Sequence, residues 1–422
     1  MKFIFNNREY PSIDGVKKAY YGIPVPPGPD YTEPFYIQDL SGSGNTVQIT
    51  KFSSSYSPTI TIEKSLDGKN WTSMGSTSTT AITASIPANG KLYLRCNTAS
   101  WAGTNAFSHN SIKATGSHKV GGNIMSLLYG INFTGDETTF PSGSSRTVFS
   151  LFQKDTYLID ASELLLPATT LTNYCYQSMF SGCTSLTTAP LLPATTLADG
   201  CYSNMFQSCT SLTTAPALPA TTLANSCYQS MFSACKKLTT APALPATTLA
   251  EYCYQSMFSD CTSLTTAPTL PATTLADYCY QYMFQSCTSL TTVPTLPATT
   301  LTDGCYFGMF SGCASLTTAP TLPATTLAYM CYAQMFYGCT SLTTAPTLPA
   351  TTLTDSCYFC MFSDCTSLNS IKCLAIDIMS TYGCLDFWVD NVSPTGTFTK
   401  VAGVEWPDGE SGIPYDWIVV EV

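Results

Sequence analysis

The sequence predicts a mainly β chain with short helical turns: an N-terminal β-sandwich followed by a solenoid of eight exact 26-residue units with degenerate caps. Three observations predict it. The pentad Pro-Ala-Thr-Thr-Leu starts at Pro167, Pro193, Pro219, Pro245, Pro271, Pro297, Pro323 and Pro349, eight copies spaced by 26 without an insertion. Between Tyr31 and Lys119, apolar and polar residues alternate in short runs separated by turn residues. On either side of residues 167–368 the unit returns in degraded form. A fixed period determines the architecture ahead of local propensity, because each unit buries its apolar positions on its counterpart in the next.

Residues 1–30 are expected to form a small attachment module and a Pro-rich linker. The apolar run Phe3-Ile4-Phe5 is broken at once by Asn6, Asn7, Arg8 and Glu9, so no ordinary export signal is expected there. Gly22-Ile23-Pro24-Val25-Pro26-Pro27-Gly28-Pro29 reads as stiff linker. Residues 31–119 hold the strand-like runs Phe35-Tyr36-Ile37, Val47-Gln48-Ile49, Thr59-Ile60-Thr61-Ile62 and Lys91-Leu92-Tyr93-Leu94-Arg95. Gly42-Ser43-Gly44-Asn45, Asp67-Gly68 and Asn89-Gly90 turn the chain between them. Such spacing predicts a sandwich of immunoglobulin or fibronectin type III (Ig/FnIII-like) architecture. Within it, Ser65 to Trp71 reads as an Asp-Gly turn with a packed Trp rather than a sialidase-type Asp-box.

Residues 120–166 are read as connector and N-terminal cap, since Val148-Phe149-Ser150-Leu151-Phe152 and Leu158-Ile159-Asp160-Ala161 imitate the later units. In the solenoid proper, 167–368, Cys-Tyr recurs from Cys175-Tyr176 to Cys357-Tyr358, Met-Phe from Met179-Phe180 to Met361-Phe362, and a second cysteine from Cys183 to Cys365. Sixteen of the twenty cysteines are therefore repeat positions. Leu186-Thr187-Thr188-Ala189-Pro190 suits one brief strand of a parallel ladder, closed by its proline. Leu192 and Leu197 flank the next bend, and the near-helical spacing of Cys201, Met205, Phe206 and Cys209 predicts a short helix or 3₁₀ turn. With turns about 4.8 Å apart, eight of them make a rod on the order of 40 Å long. Residues 369–422 form the C-terminal cap, in which Cys384-Leu385-Asp386-Phe387-Trp388 stands where a ninth unit would begin. From Pro394 to Val422, Trp406, Trp417 and Ile418-Val419-Val420 suggest a small hairpin-like closure.

Composition narrows the function. Seventeen Lys and Arg against 27 Asp and Glu leave a net charge of −10, which disfavours nucleic acid and anionic membrane as partners. No run of about 18 apolar residues occurs, so no membrane insertion is expected. His109 and His118 are the only histidines, and thiols spread along a rod do not converge as a zinc site requires. The cysteines are best read as small buried hydrophobes, with no metal, no cofactor and no catalytic nucleophile. Disulfides at every step would demand special geometry each time. Threonine pairs such as Thr187-Thr188 and Thr195-Thr196 suit a strand surface.

The units differ just before and between their two cysteines: Asp199-Gly200, Glu251-Tyr252, Asp277-Tyr278, Tyr282, Phe307, Tyr329-Met330, Tyr337 and Phe359. Lys236 and Lys237 are the only basic residues among the repeats. A Tyr-rich, acidic surface suits sugar stacking or protein contact, so the candidate ligand-binding residues are Tyr252, Tyr278, Tyr282, Phe307, Tyr329, Tyr337 and Phe359. Drift at solvent positions is the alternative.

Cys-Thr-Ser-Leu-Thr-Thr-Ala-Pro, Leu-Pro-Ala-Thr-Thr-Leu and Met-Phe-x-x-Cys, as in Cys183 to Cys209, resemble the BspA-like leucine-rich repeats of Bacteroidales and their phages over about half the chain. The resemblance implies a right-handed leucine-rich-repeat solenoid and a role in adhesion or recognition without catalysis. Phe5 to Tyr10 and Val16 to Gly22, followed by the linker and sandwich, are similar to the front of phage tail-associated and fibre-like proteins. The implied function is a non-enzymatic phage or prophage virion protein binding a Bacteroidales host-surface glycan or protein through the solenoid and virion components through its N-terminal module. Its place would be the virion, or outside the cell after lysis. The alternatives are a bacterial cell-surface adhesin and a structural capsid or tail decoration. A homo-oligomer is left open, as no coiled-coil heptads are present. A glycan hydrolase ranks last, because no carboxylate pair recurs at a constrained repeat position.

Overall fold

The computed structural model describes residues 29–51, 59–97, 110–141, 145–378 and 382–422, together with the backbone of 3–5 and 8–10. Strands β1 (Phe3–Phe5) and β2 (Arg8–Tyr10) pair as an antiparallel hairpin; the rest of the expected attachment module, the Pro-rich linker and His109 lie outside the described residues.

Nine strands follow: β3 (Tyr36–Asp39), β4 (Asn45–Lys51), β5 (Thr61–Ser65), β6 (Thr72–Ser76), β7 (Ile82–Ile86), β8 (Lys91–Cys96), β9 (Asn110–Ala114), β10 (His118–Asn123) and β11 (Leu158–Leu165). They make a six-stranded sheet in the order β11-β10-β3-β8-β5-β6 and a three-stranded sheet in the order β7-β4-β9. Alternation does the sorting: Val47 and Ile49 on β4 and Leu92, Leu94 and Cys96 on β8 are buried while their neighbours are not. Asp39 ties two turns, accepting N–H groups of Ser41, Gly42, Gly44 and Asn89 and the Asn45 amide. Burial alone would raise its pKa, but these hydrogen bonds hold it at about 2. Asp67 likewise accepts the Lys69 and Asn70 N–H groups, and Trp71 lies under the Arg95 guanidinium at 4.3 Å.

Strand β10 runs through the expected boundary at residue 119. It pairs antiparallel with β3 and parallel with β11, and β11 in turn bridges Asp160 to Thr188 of the first solenoid unit. The same strand is thus the last of one sheet and the first rung of the next. Beside it, Asp155 accepts the Ala114 N–H at 3.2 Å and faces His118 Nε2 at 3.3 Å, both side chains fully buried. One hydrophobic cluster therefore continues from Phe35 and Ile37 through Leu128, Phe152 and Leu158 to Trp388 and Phe398. Between β10 and β11, α1 (Met125–Tyr129), the one α-helix among the described residues, buries Met125, Leu127 and Leu128.

In the solenoid, the expected helical segment is not a helix. Residues 200, 204 and 208, and their equivalents in each turn, have positive φ, and a left-handed residue at every fourth position stops helix propagation. The backbone groups are satisfied alternately. Cys201, Ser203, Met205, Gln207 and Cys209 donate to the carbonyl three residues back, whereas Gly200, Tyr202, Asn204, Phe206 and Ser208 donate to the next turn, at 2.7–3.2 Å throughout. The pattern continues into both caps, at 146–154 and 383–391. The brief strand expected at Leu186–Pro190 appears as single parallel bridges along the Thr188 column, and a second such column runs through Thr170, Thr196 and Thr222.

Tyr176 to Tyr358 form a stacked column with centroids 5.6–6.2 Å apart, and Phe152 to Phe362 another at 5.3–5.8 Å. Every second cysteine of a unit donates its thiol to the Phe carbonyl of the preceding turn at 3.0–3.1 Å. That contact gives the cysteine a polar role inside an apolar core.

None of the twenty cysteines is in a disulfide, and Cys360 alone is not fully buried. Burial pushes thiols such as Cys201, Cys235, Cys287 and Cys339 up to about 12. Titration of folded protein with Ellman's reagent is expected to register Cys360 and no other, with the rest released by denaturant. Rapid reaction of several thiols without denaturant would contradict the buried columns.

The closure of 394–422 is not a hairpin. Strands β12 (Ser370–Lys372), β13 (Thr397–Lys400) and β14 (Ile418–Glu421) pair in parallel. Each continues the Thr188 column through Thr344 and Ser370, and a chain that circles once between rungs returns in the same direction.

Candidate functional site

The turn segments stack into a strip along the solenoid. The cysteines of each unit, with the Tyr, Met and Phe of the Cys-Tyr and Met-Phe pairs, point inward. The strip is formed by the residue before each first cysteine and those following each pair, half-buried or exposed where the side chain is large and buried at several Gly, Ser and Ala positions such as Gly304, Ser311 and Ala333. Six of the seven sequence-predicted residues lie on this strip, and Tyr329, two residues before Cys331, stands on its flank. Tyr252, Tyr278 and Tyr282 occupy left-handed positions, with φ of 55°, 54° and 53°.

The structure gathers them into two groups. Tyr252 and Tyr278 stack at 5.2 Å, and Tyr282 meets Phe307 edge-to-face at 5.0 Å. The Tyr282 hydroxyl reaches Gln334 Oε1, two turns on, at 3.5 Å. Burial first, then Tyr252, Asp303 and Tyr329, raise the Tyr278 pKa, which places Tyr329 in the same field. Tyr337 stands apart, hydrogen-bonded to Asp364, which raises the tyrosine and, together with a hydrogen bond from Asn391, lowers the carboxylate. Phe359 makes no ring contact with the other six among the described residues.

Sequence reasoning missed the glycines under the rings. A Cβ at Gly304 would collide with the Tyr278 ring, and one at Gly308 with Tyr282; Gly200 stands in the same relation to Tyr174. Each tyrosine therefore lies across the bare backbone of the next turn. The signal was legible, since each of these glycines follows its tyrosine by 26 residues. Replacing Gly308 by Ser is expected to displace Tyr282, abolish its contact with Phe307 in near-ultraviolet circular dichroism, and cost about 1–2 kcal/mol for a side chain in left-handed backbone. An unchanged aromatic spectrum would show that the ring does not need the glycine.

A second unpredicted feature is an amide column. Gln229 Nε2 donates to Gln255 Oε1, and Gln255 Nε2 to Gln281 Oε1. The ladder stops at Gln281 because Phe307 takes the next place in the column. On the strip's flank, Asp277 Oδ1 accepts the Asp303 N–H and Asp303 Oδ1 the Tyr329 N–H, both at 3.2 Å. These carboxylates join turns as well as charging the surface. Past the last full unit, a cleft of about 690 Å³ is lined by Asp390, Asn391, Asp408, Glu410 and Tyr415, among others.

The arrangement offers flat aromatic faces, amide groups and carboxylates on a rigid, periodic support. Six copies of the model for the BspA type leucine rich repeat region match the chain, over residues 161–291, 201–343 and 280–382. Together these cover more than half of its 422 residues. No curated protein matches the chain.

Proposed function

The chain belongs to the BspA-type leucine-rich repeat family, whose members typically serve surface adhesion and recognition, and from that premise we propose that it is a non-enzymatic recognition protein whose binding surface is the turn strip. The observation that carries this reading is the half-exposed Tyr252–Tyr278 and Tyr282–Phe307 pairs, in which Tyr278 lies over Gly304 and Tyr282 over Gly308. Large apolar rings kept at the surface by a dedicated backbone feature serve contact better than stability.

We read the wider protein as a phage or prophage virion component that engages a Bacteroidales cell-surface glycan or protein. Residues 1–30 would attach it to the particle, and the two sheets would act as an Ig- or FnIII-like sandwich spacer that holds the solenoid outward. What supports the spacer role is β11, which pairs with β10 of the six-stranded sheet and bridges to Thr188 of the first solenoid unit, so that the two parts are hydrogen-bonded to each other.

The test is binding of labelled protein to a panel of intact Bacteroidales strains by flow cytometry. A control carries Tyr282→Ser and Phe307→Gln, residues that other units hold at the same places (Ser230, Ser256; Gln255, Gln281). Strain-selective binding that falls at least tenfold in the double variant is expected. Binding to no strain, or binding indifferent to the variant, would refute the strip as the recognition surface.

A further inference from the structure

We infer that the strip takes an extended, uncharged, β-1,4-linked polysaccharide lying parallel to the solenoid axis, with the perpendicular Tyr282 and Phe307 rings forming the floor and side wall for one of its sugars. The inference rests on the recognition reading and names its ligand. Three observations carry it.

The first is period. Equivalent rings repeat once per turn, with centroids 5.2 Å apart in the exposed Tyr252–Tyr278 pair and 5.3–6.2 Å apart in the buried columns. One sugar of an extended β-1,4-linked chain advances by nearly the same distance. Each residue of such a chain would meet the same set of positions one turn further on, whereas a helically coiled α-linked chain would lose register within a few turns.

The second is the chemistry offered at that step. Tyr282 lies across Gly308 with its hydroxyl turned along the axis to Gln334, and Phe307 stands beside it edge-on. Sugars present apolar C–H faces to rings and hydroxyls to amides, the combination of aromatic walls and few polar groups that binding sites use. The amide column donates toward the C-terminal turns and ends at Gln281, next in sequence to Tyr282. A polarised ladder strengthens its terminal group as a donor.

The third is charge. Between residues 167 and 371 stand seven carboxylates, Asp199, Glu251, Asp260, Asp277, Asp303, Asp355 and Asp364, against Lys236 and Lys237 alone. Asp277 and Asp303 border the ring group and hydrogen-bond to backbone N–H groups of the next turn, so they do not swing away. A uronate- or sulfate-bearing chain would be repelled from this surface.

The experiment is affinity electrophoresis of the full chain in gels containing glucomannan, which is neutral and β-1,4-linked, amylose, which is α-linked and coiled, or polygalacturonate, which is extended and acidic. Retardation by glucomannan alone, weakened about tenfold by each of Tyr282→Ser and Phe307→Gln, is expected. Retardation by amylose equal to that by glucomannan would overturn the register argument. Preference for polygalacturonate would overturn the charge argument. No retardation by glucomannan, with strain-selective cell binding still dependent on Tyr282 and Phe307, would overturn this inference and leave a protein ligand for the same strip. Cell binding independent of both residues would overturn the recognition reading itself.

Discussion

Between pH 9 and 11 the solenoid is expected to unfold cooperatively, losing its far-ultraviolet dichroism and gaining tyrosinate absorbance in one transition. The cause is the direction of the thiol and phenol shifts. Burial raises Cys201, Cys305 and Cys357 to about 12, Cys209, Cys253 and Cys331 well above an ordinary thiol, and Tyr202 and Tyr280 well above an ordinary phenol. A group whose folded pKa lies above its unfolded one contributes stability that is whole below the unfolded value and drains away as the pH rises toward the folded value. For thiols that drain begins near 9. At pH 10 an unfolded thiol with a pKa near 9 is mostly ionised, which favours the unfolded chain by about 1.4 kcal/mol. Sixteen repeat cysteines, two in each of eight units and all buried, multiply this to about 20 kcal/mol, beyond the usual 5–15 kcal/mol of a folded domain. The eight buried tyrosines add to it above pH 10. Titration in excess reductant would check the expectation. Gradual tyrosine ionisation near pH 10 with intact dichroism would show that water reaches the columns.

Replacing Trp388 by Ala carries the second large effect. The indole is fully buried and closes both aromatic columns, against Tyr358 at 6.4 Å and Phe362 at 6.1 Å on one side and Phe398 and Trp406 on the other. Its Nε1 donates to the Gly412 carbonyl at 2.9 Å, so truncation leaves a cavity and an orphaned acceptor. Loss of such a side chain costs about 3–5 kcal/mol. Units of a solenoid contact only their neighbours, so the loss should be local. Hydrogen exchange is expected to quicken in the last units and the parallel strands β12 to β14 while β3 to β11 keep their protection. Uniform acceleration along the chain would instead mean that the solenoid and the sheets unfold as one unit. Trp388→Phe, which keeps a ring, should recover most of the protection.

Much of this molecule was legible because an exact period converts a sequence into a stack. Cys175, Tyr176, Met179, Phe180 and Cys183 could be assigned to the interior from recurrence alone, and each is fully buried. The cap in which Phe152 imitates Phe180 was legible for the same reason, and the two rings stack at 5.3 Å. What was misread is conformation within the unit. Spacing of Cys201, Met205 and Phe206 fits a helix, but the same spacing suits a ribbon of turns when every second N–H can reach a neighbouring copy. The hairpin expected near Ile418 failed likewise, since apolar alternation marks a strand and says nothing of its direction.

The candidate surface divides in the same way. Tyr252, Tyr278, Tyr282 and Phe307 could be found as departures from a repeated unit, and so could the 26-residue offset of Gly304 and Gly308 from their tyrosines. That Tyr282 reaches across two turns to Gln334, that Tyr337 belongs with Asp364 instead, and that Phe359 stands alone became visible only in three dimensions. By itself the sequence determined the family and which side chains of the repeated unit face inward, because burial at a fixed period is a one-dimensional property. The tertiary structure alone decided the parallel closure, the sheet shared through β11 and the grouping of the exposed rings, because these depend on backbone hydrogen bonds and side-chain directions between turns, which the order of residues along one turn does not encode.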